Sequence, residues 1–393
     1  MPNFIAKSIK SKSYPFGRDD VKFLWEVCGR NEKLIYTQCE NESFLLTLKP
    51  KQDFVVLKGE KLSKPARTSL LQKALCVYRD ENANEIVSEA MAYKPTKVIK
   101  KSELITDIDK FTVEFNTFVG VYDEIFIEIG FGSGRHLLYQ AKNNKNTLVI
   151  GIEVYKPSIE QVAKLAMLND LKNIRLINTD ARLLLGLINS NVIDKIFLHF
   201  PVPWDKAPHR RVVSESFALE CERVLKEGGS FELRTDSKEY AEYCVSNFLN
   251  LSNSKIFLKK NENLEISSKY EDRWKRQEKD IYDMQYKCEI SSPKREIKDD
   301  IKFHNSYDMV KILTNFKNET IKDSDYFVHF EDIYSSNERI LIKLAFGAFA
   351  RPEHCFIKIE NQKCEYFAKK PLLTFENLKA HKKVQECLDI CKI

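Results

Sequence analysis

Apolar positions recur along this chain with two periods, and each switch of period marks a new element. In the middle of the sequence Ile125, Ile127 and Ile129 alternate and predict a buried strand. Glycines at 130, 132 and 134 follow, and His136 to Lys142 reads as the first turns of a helix. Thr147–Val154 predicts a second apolar strand. Behind Pro157, a residue suited to a helix start, Ile159, Val162, Ala163 and Ala166 fall on one helical face. Ile174–Asn178 and Asp194–Phe200 predict a third and a fourth strand. Leu225–Gly229 reads as a helix end capped by glycine, and Glu232–Asp236 closes a fifth strand. Lys255–Leu258 and Tyr282–Ile290 read as two last strands packed antiparallel. Strands alternating with helices imply an α/β fold: an open, mostly parallel, Rossmann-like sheet of seven strands.

The flanks have other patterns. Phe23–Cys28, Lys33–Cys39, Ser43–Leu48 and Asp53–Leu57 alternate or run apolar and predict a β-meander, followed by a helix over Thr68–Tyr78. After a charged linker, Lys294–Lys302, strands are expected at Ile340–Phe349, His354–Ile359 and Lys363–Ala368, with a final helix from Leu378 to Ile390. The chain therefore divides into a small β-rich N-terminal domain (1–114), the α/β domain (115–293) and a small α+β C-terminal domain (294–393). Neither flank carries recognisable chemistry.

The chemistry gathers where the central strands end. Glu128-x-Gly130-x-Gly132-x-Gly134 places Arg135 where a dinucleotide fingerprint needs its last glycine, so a nicotinamide cofactor is disfavoured. S-adenosylmethionine lacks a pyrophosphate, and a glycine turn lets its methionine part lie against the backbone. Glu128, Gly130 and Gly132 are candidates to hold it. Glu153, ending the second strand, is placed to accept from both ribose hydroxyls. Asp180, after the third, is placed to accept from an adenine amino group. The competing reading of each acid is a strand-end charge or a helix cap.

The fourth strand runs into Pro201-Val202-Pro203-Trp204-Asp205-Lys206, then Pro208-His209-Arg210-Arg211. Its prolines stiffen the loop, Trp204 can stack on a base, and Lys206, His209, Arg210 and Arg211 suit phosphates. A solvated charge run around a core tryptophan is the alternative. With Thr235-Asp236 and Ser268-Lys269-Tyr270-Glu271, the stretch from Glu128 resembles the bacterial tRNA (guanine-N7-)-methyltransferase family of class I S-adenosylmethionine-dependent enzymes. That family carries a Phe-Pro-Asp-Pro-Trp-x-Lys loop with basic residues after it, a Thr-Asp pair after the fifth strand and a Thr-Lys-Phe-Glu motif. The resemblance covers roughly Phe115 to Ile290. It implies methyl transfer to N7 of guanine 46 in the variable loop of tRNA.

On this reading Lys206, Asp236, Trp204, Ser268 and Glu271 meet the nucleotide. The charged and aromatic run Tyr270–Arg276 would grip a flipped-out guanine. The family's loop aspartate is Val202 here, and Pro208 replaces a base; Val202 is assigned no catalytic role. Guanine N7 carries a free lone pair, so no proton has to be removed. A nearby carboxylate, Asp205 or Asp236, suffices to orient the base and offset the developing charge. For Asp236 the alternative is an N-cap of the following helix.

Composition narrows the setting. Net charge is only +6 in 393 residues, so RNA binding must come from local patches. Basic stretches at Lys7–Lys12, Lys58–Arg67 and Lys94–Lys101 read first as solvated surface. Ten cysteines without a Cys-x-x-Cys pair and seven dispersed histidines argue against a metal site and for a reducing cytoplasm. No signal peptide or membrane span is read, and the oligomeric state stays open. Two further readings compete: a non-catalytic tRNA-binding module on a methyltransferase scaffold, and a methyltransferase acting on protein or a small molecule.

Overall fold

The computed structural model describes residues 2–91, 102–266, 271–272, 276–295, 297 and 299–393. The chain forms two compact units, Lys100–Ile297 and Met1–Ile99 joined with Lys298–Ile393.

The central unit runs β1 (Ile105–Thr106), α1 (Ile108–Phe118), β2 (Glu124–Ile129), α2 (Arg135–Asn143), β3 (Thr147–Ile152), α3 (Lys156–Leu168) and β4 (Ile174–Ile177). It continues through α4 (Ala181–Leu185), β5 (Ile193–His199), α5 (Glu215–Val224), β6 (Leu225–Thr235), α6 (Lys238–Leu249), β7 (Lys255–Lys260) and β8 (Tyr282–Lys287). The sheet order is β7-β8-β6-β5-β2-β3-β4-β1. β8 lies antiparallel on β6 and on β7, as expected, and the other pairs are parallel. The seven expected strands are present, and two-residue β1 adds an eighth at the edge. All six residues of β3 and five of six in β2 are buried, because helices cover both faces of a parallel sheet. The apolar stripe Ile159, Val162, Ala163 and Ala166 is the buried face of α3.

One local expectation fails. Helix α5 ends at Val224, and the chain turns extended at Leu225 (φ −68°, ψ 140°), so Gly228 caps no helix. Gly228, at φ +85°, instead bends the entry of β6, where its N–H donates to Cys288 C=O.

The two flanks share one twelve-stranded sheet instead of forming separate extensions. The expected meander, Val21–Cys28 to Val55–Gly59, is continued by Asn3–Ile9 and Ala83–Ala90. The C-terminal strands are Phe327–Ser335, Arg339–Gly347, Glu353–Glu360 and Lys363–Phe367. Ser335 pairs with Cys28 across the join. Val27, Leu34 and Leu45 from one flank share a buried cluster with Tyr334, Leu341 and Phe356 from the other. Packing of the flanks on each other is one of the arrangements the sequence leaves open; period-2 patterning marks a strand but not its partner, so it does not show that they share one sheet. Helix Thr68–Asn82 covers the N-terminal part and helix Phe375–Asp389 the C-terminal part. Within the basic stretches Lys7 pairs with Glu85, Lys12 with Glu81 and Arg67 with Glu40, which fits solvated surface. Lys94–Lys101 lies outside the described residues.

Candidate active site

Parallel strands β2, β3, β4 and β5 all end at one edge, and the site is built on the turns that leave it. After β2 the backbone takes three left-handed steps: Gly130 (φ +69°), Gly132 (φ +50°) and Gly134 (φ +71°). L-residues pay a steric penalty there, which glycine escapes. The three glycines then differ. A Cβ on Gly134 would lie 2.4 Å from Val162 Cγ2, so this glycine lets α2 and α3 close up. A Cβ on Gly130 would meet nothing within 4 Å, and one on Gly132 only Gly130 O at 4.0 Å. Those two leave an open cradle of bare backbone.

Glu153 sits beside it at the end of β3. Its Oε2 accepts from Gly132 N–H (3.1 Å), and its Oε1 accepts from Val154 N–H (2.8 Å) and Tyr155 N–H (3.0 Å). Three backbone donors fix this carboxylate against the glycine turn. Asn178, which the sequence reading passed over, braces it from β4 by donating to the carbonyls of Glu153 (2.9 Å) and Val154 (3.1 Å). Asp180 caps α4 by accepting from Arg182 N–H and also holds the Arg182 guanidinium at 2.6 Å. The cap reading of Asp180 therefore holds, with the ion pair added. Glu128 is only 4% exposed, and its Oε2 lies 2.8 Å from His136 Nδ1 at the base of the cradle.

The Trp204 loop leaves β5, which lies directly beside β2 with Leu198 opposite Ile129. The two segments therefore leave the same edge of the sheet side by side. Phe200 (φ +50°) and Trp204 (φ +48°) both adopt left-handed backbone. Arg211 holds the bend: its Nε donates to Pro203 C=O at 2.7 Å, and the buried guanidinium stacks over Tyr243 (4.6 Å) and Tyr240 (5.3 Å). Arg211 is thus a brace inside the loop, although its charge had suggested a phosphate contact. Its other neighbour is Asp205, at 3.6 Å. Lys206, His209 and Arg210 are exposed, and Arg210 lies over the Trp204 ring at 5.0 Å. Val202 is 61% exposed and makes no polar contact of its own.

Asp236, after β6, pairs with Lys279 at 3.0 Å. It does not cap α6; Ser237 does, accepting from Tyr240 N–H. One residue of register separates the two roles, and the hydroxyl took the cap. Glu271 is buried and accepts from Arg234 NH2 at 3.0 Å, while Arg234 NH1 donates to Asp283. Arg234 is 1% exposed, an anchor that its place in an alternating strand did not announce. Ser268, Lys269, Tyr270, Arg273, Trp274 and Lys275 lie outside the described residues. A cavity of about 220 Å³ opens alongside, lined by His199, Glu232, Arg234, Phe257 and Asp283 among others. Burial first, then the neighbouring His136 and Arg234, push the His199 imidazolium well below the usual histidine range. All ten cysteines are free thiols. Among the described residues no cluster of three or more His, Cys, Asp or Glu could hold a metal, and no helix is long and apolar enough to cross a membrane.

A sheet in this order, with a glycine turn after its first core strand and an acid after its second, defines a methyltransferase. The family model described as "Putative methyltransferase" matches residues 123–284. A tRNA (guanine-N(7)-)-methyltransferase of Campylobacter fetus subsp. fetus is 50% identical over 393 residues, covering 99% of each chain. Its counterpart in Wolinella succinogenes is 34% identical, over 99% of this chain and 100% of that one. The solved structure of an antibiotic-related methyltransferase aligns at 21% identity and TM-score 0.36, over 49% of this chain and 98% of that one. The chain belongs to the tRNA (guanine-N(7)-)-methyltransferase family.

Proposed function

We propose that this protein transfers a methyl group from S-adenosylmethionine to N7 of guanine 46 in the variable loop of tRNA, in the cytoplasm. The observation that carries the reading is this adjacency: an open glycine cradle and the Pro-x-Pro-Trp loop leave neighbouring strands, β2 and β5. The residues present fit the cofactor, since substituents at Gly130 and Gly132 would fill free space and Glu153 is fixed within reach of that space. Glu153 would hold the ribose hydroxyls, and the bare backbone of Gly130 and Gly132 would lie along the methionine part.

When bound, S-adenosylmethionine supplies an electrophilic methyl on a sulfonium. The chain's own residues orient the acceptor and exclude water. N7 attacks with its lone pair, so no general base is required and the loss of the loop aspartate at Val202 is tolerable. What helps is negative charge near the ring as it becomes cationic. Asp236 has the less solvated side chain, 20% exposed against 60% for Asp205, and would act on the ring once its partner Lys279, at 3.0 Å, turns to a phosphate. Lys206 and Trp204, exposed at the rim, would meet phosphate and base; Glu271 would act through its pair with Arg234, and Ser268 completes the set by the family motif.

The test is methyl transfer from labelled S-adenosylmethionine to an unmodified tRNA transcript, with the modified base mapped by cleavage at 7-methylguanosine. Label at guanine 46 is expected. Binding of tRNA without transfer would instead favour the scaffold reading, for which the apolar Val202 in the loop speaks.

A further inference from the structure

Helix α2 carries His136 and Gln140 four residues apart, and its C-cap residue, Asn144, follows four residues further on. That spacing stacks them along one face. Asn144 Nδ2 donates to Gln140 Oε1 at 3.1 Å and to the Gln140 carbonyl at 2.9 Å. The amide of Gln140 is thereby turned so that its oxygen faces Asn144 and its nitrogen faces the imidazole. Gln140 Nε2 lies 3.0 Å from His136 Nε2. An amide nitrogen only donates, so His136 Nε2 must accept and the ring proton must sit on Nδ1. Nδ1 is 2.8 Å from Glu128 Oε2. The chain of bonds thus runs one way, from Asn144 through Gln140 and His136 to the Glu128 carboxylate.

The ring has little freedom to leave this arrangement. From β5, Phe197 packs against it edge-on at 4.7 Å and His199 at 4.6 Å. His136 is itself buried, and Glu128 stands two residues before Gly130. Nothing in the chemistry of methyl transfer uses an imidazole here, and an apolar residue in its place would take this partner from the buried Glu128 carboxylate.

We propose that His136 is a positioning residue. Oriented by Gln140 and Asn144, it fixes the Glu128 carboxylate at the base of the glycine turn, so that the remaining acceptor capacity of Glu128 is held ready for a cationic amine of the bound donor. This rests on the reading of the turn as the S-adenosylmethionine cradle.

Two readouts on the full-length protein test it. The first needs no cofactor: long-range nitrogen–proton spectra of 15N-histidine-labelled protein at neutral pH, with His136 assigned by substitution. The Nδ1–H tautomer, the minor form of free histidine, is expected, and it should persist in Gln140→Leu, because the Glu128 carboxylate only accepts and still requires a proton on Nδ1. The second is calorimetric titration with S-adenosylmethionine. Loss of a hydrogen bond that positions a charged group corresponds to roughly tenfold weaker binding, expected for His136→Phe and Gln140→Leu. His136→Asn, whose amide nitrogen takes the place of Nδ1, should stay within about threefold of wild type. An Nε2–H tautomer in the wild-type protein overturns the relay. Wild-type affinity in both His136→Phe and Gln140→Leu overturns the positioning role and leaves the cradle standing. A wild-type protein that binds no S-adenosylmethionine overturns the cradle and the role together.

Discussion

Alanine at Gly130 and alanine at Gly134 should fail in opposite ways, though both positions share nearly the same backbone. Each has φ near +70°, so each substitution carries a left-handed strain of about 1–2 kcal/mol. At Gly134 a second effect adds to it. The new methyl would lie 2.4 Å from Val162 Cγ2 and 3.0 Å from Cγ1. Val162 is fully buried, and a β-branched residue in a helix has one strongly preferred rotamer, so it cannot swing away. Overpacking of this kind costs about 1–3 kcal/mol, which puts Gly134→Ala near 2–5 kcal/mol in total. At Gly130 the methyl meets nothing within 4 Å and only the strain remains. That methyl, however, stands where the cofactor would lie. Gly130→Ala should therefore lose only that strain, about 1–2 kcal/mol, in urea, yet bind S-adenosylmethionine at least about tenfold more weakly by calorimetry. Gly134→Ala should show the larger drop in urea midpoint. Wild-type affinity in Gly130→Ala would place the cofactor elsewhere. Equal midpoints for the two variants would mean that α2 and α3 are not closely packed at this point.

Three further outcomes follow from the same geometry. Glu153→Ala removes the acceptor of three backbone N–H groups together with the ribose contact, and calorimetry should show cofactor affinity down by well over about tenfold; unchanged affinity would defeat the assignment. His199 is depressed below its ordinary value by burial, so its contribution to stability is complete above pH 6.5 and is lost as the pH falls below it, because the unfolded chain takes up the proton first. Unfolding free energies from urea titrations between pH 7.5 and 5 should fall with a slope of up to about 1.4 kcal/mol per pH unit from this group, and His199→Phe should flatten that slope; an identical slope in the variant excludes His199 as its source. Arg211→Lys keeps the charge but loses the planar stacking and the directed bond to Pro203, so the Trp204 loop should loosen and kcat should drop more than KM for tRNA rises; unaltered kinetics would show that the brace is dispensable.

The central fold was readable because its signals are local and redundant. Unbroken apolar strands, glycines at three successive alternate positions and an acid after each strand each point to the same sheet. The site was readable to the level of which loops meet, since the ends of adjacent parallel strands fix that. Its finer roles depended on partners far away in sequence. Arg211 looks like a phosphate ligand until Pro203 and the rings of Tyr240 and Tyr243 come beneath it. Asp236 looks like a cap until Ser237 takes that role and Lys279 approaches from another element. Charge along the sequence gives no sign of such pairings, because an Arg at the surface and an Arg under a loop have the same neighbours in the chain. His136 did carry a signal: a histidine eight residues after an acid near the end of an apolar strand, with a glutamine and an asparagine at four-residue intervals behind it.

The flanks have a consequence for the catalytic unit that follows from connectivity alone. Residues 100–297 are inserted between two halves of one β unit, so both ends of the insertion are tied to a single folded body. Removing residues 298–393 would strip Tyr334, Leu341 and Phe356 from the cluster they share with Val27, Leu34 and Leu45. It would also unpair Cys28, whose bridge to Ser335 is where Val21–Cys28 meets the C-terminal strands, and bare the apolar side chains beside it. Val27, Leu34 and Leu45 would each forfeit about 1.5–3 kcal/mol of burial, roughly 5–9 kcal/mol together, which is comparable with the whole net stability of an ordinary domain. The truncated chain should therefore aggregate through its N-terminal strands even though every residue of the glycine cradle and the Trp204 loop is retained. Deletion of both flanks together, leaving residues 100–297, removes the exposed apolar cluster as well and should give the more soluble product. A soluble 1–297 fragment with an intact meander by amide exchange would refute this account of how the two halves depend on each other.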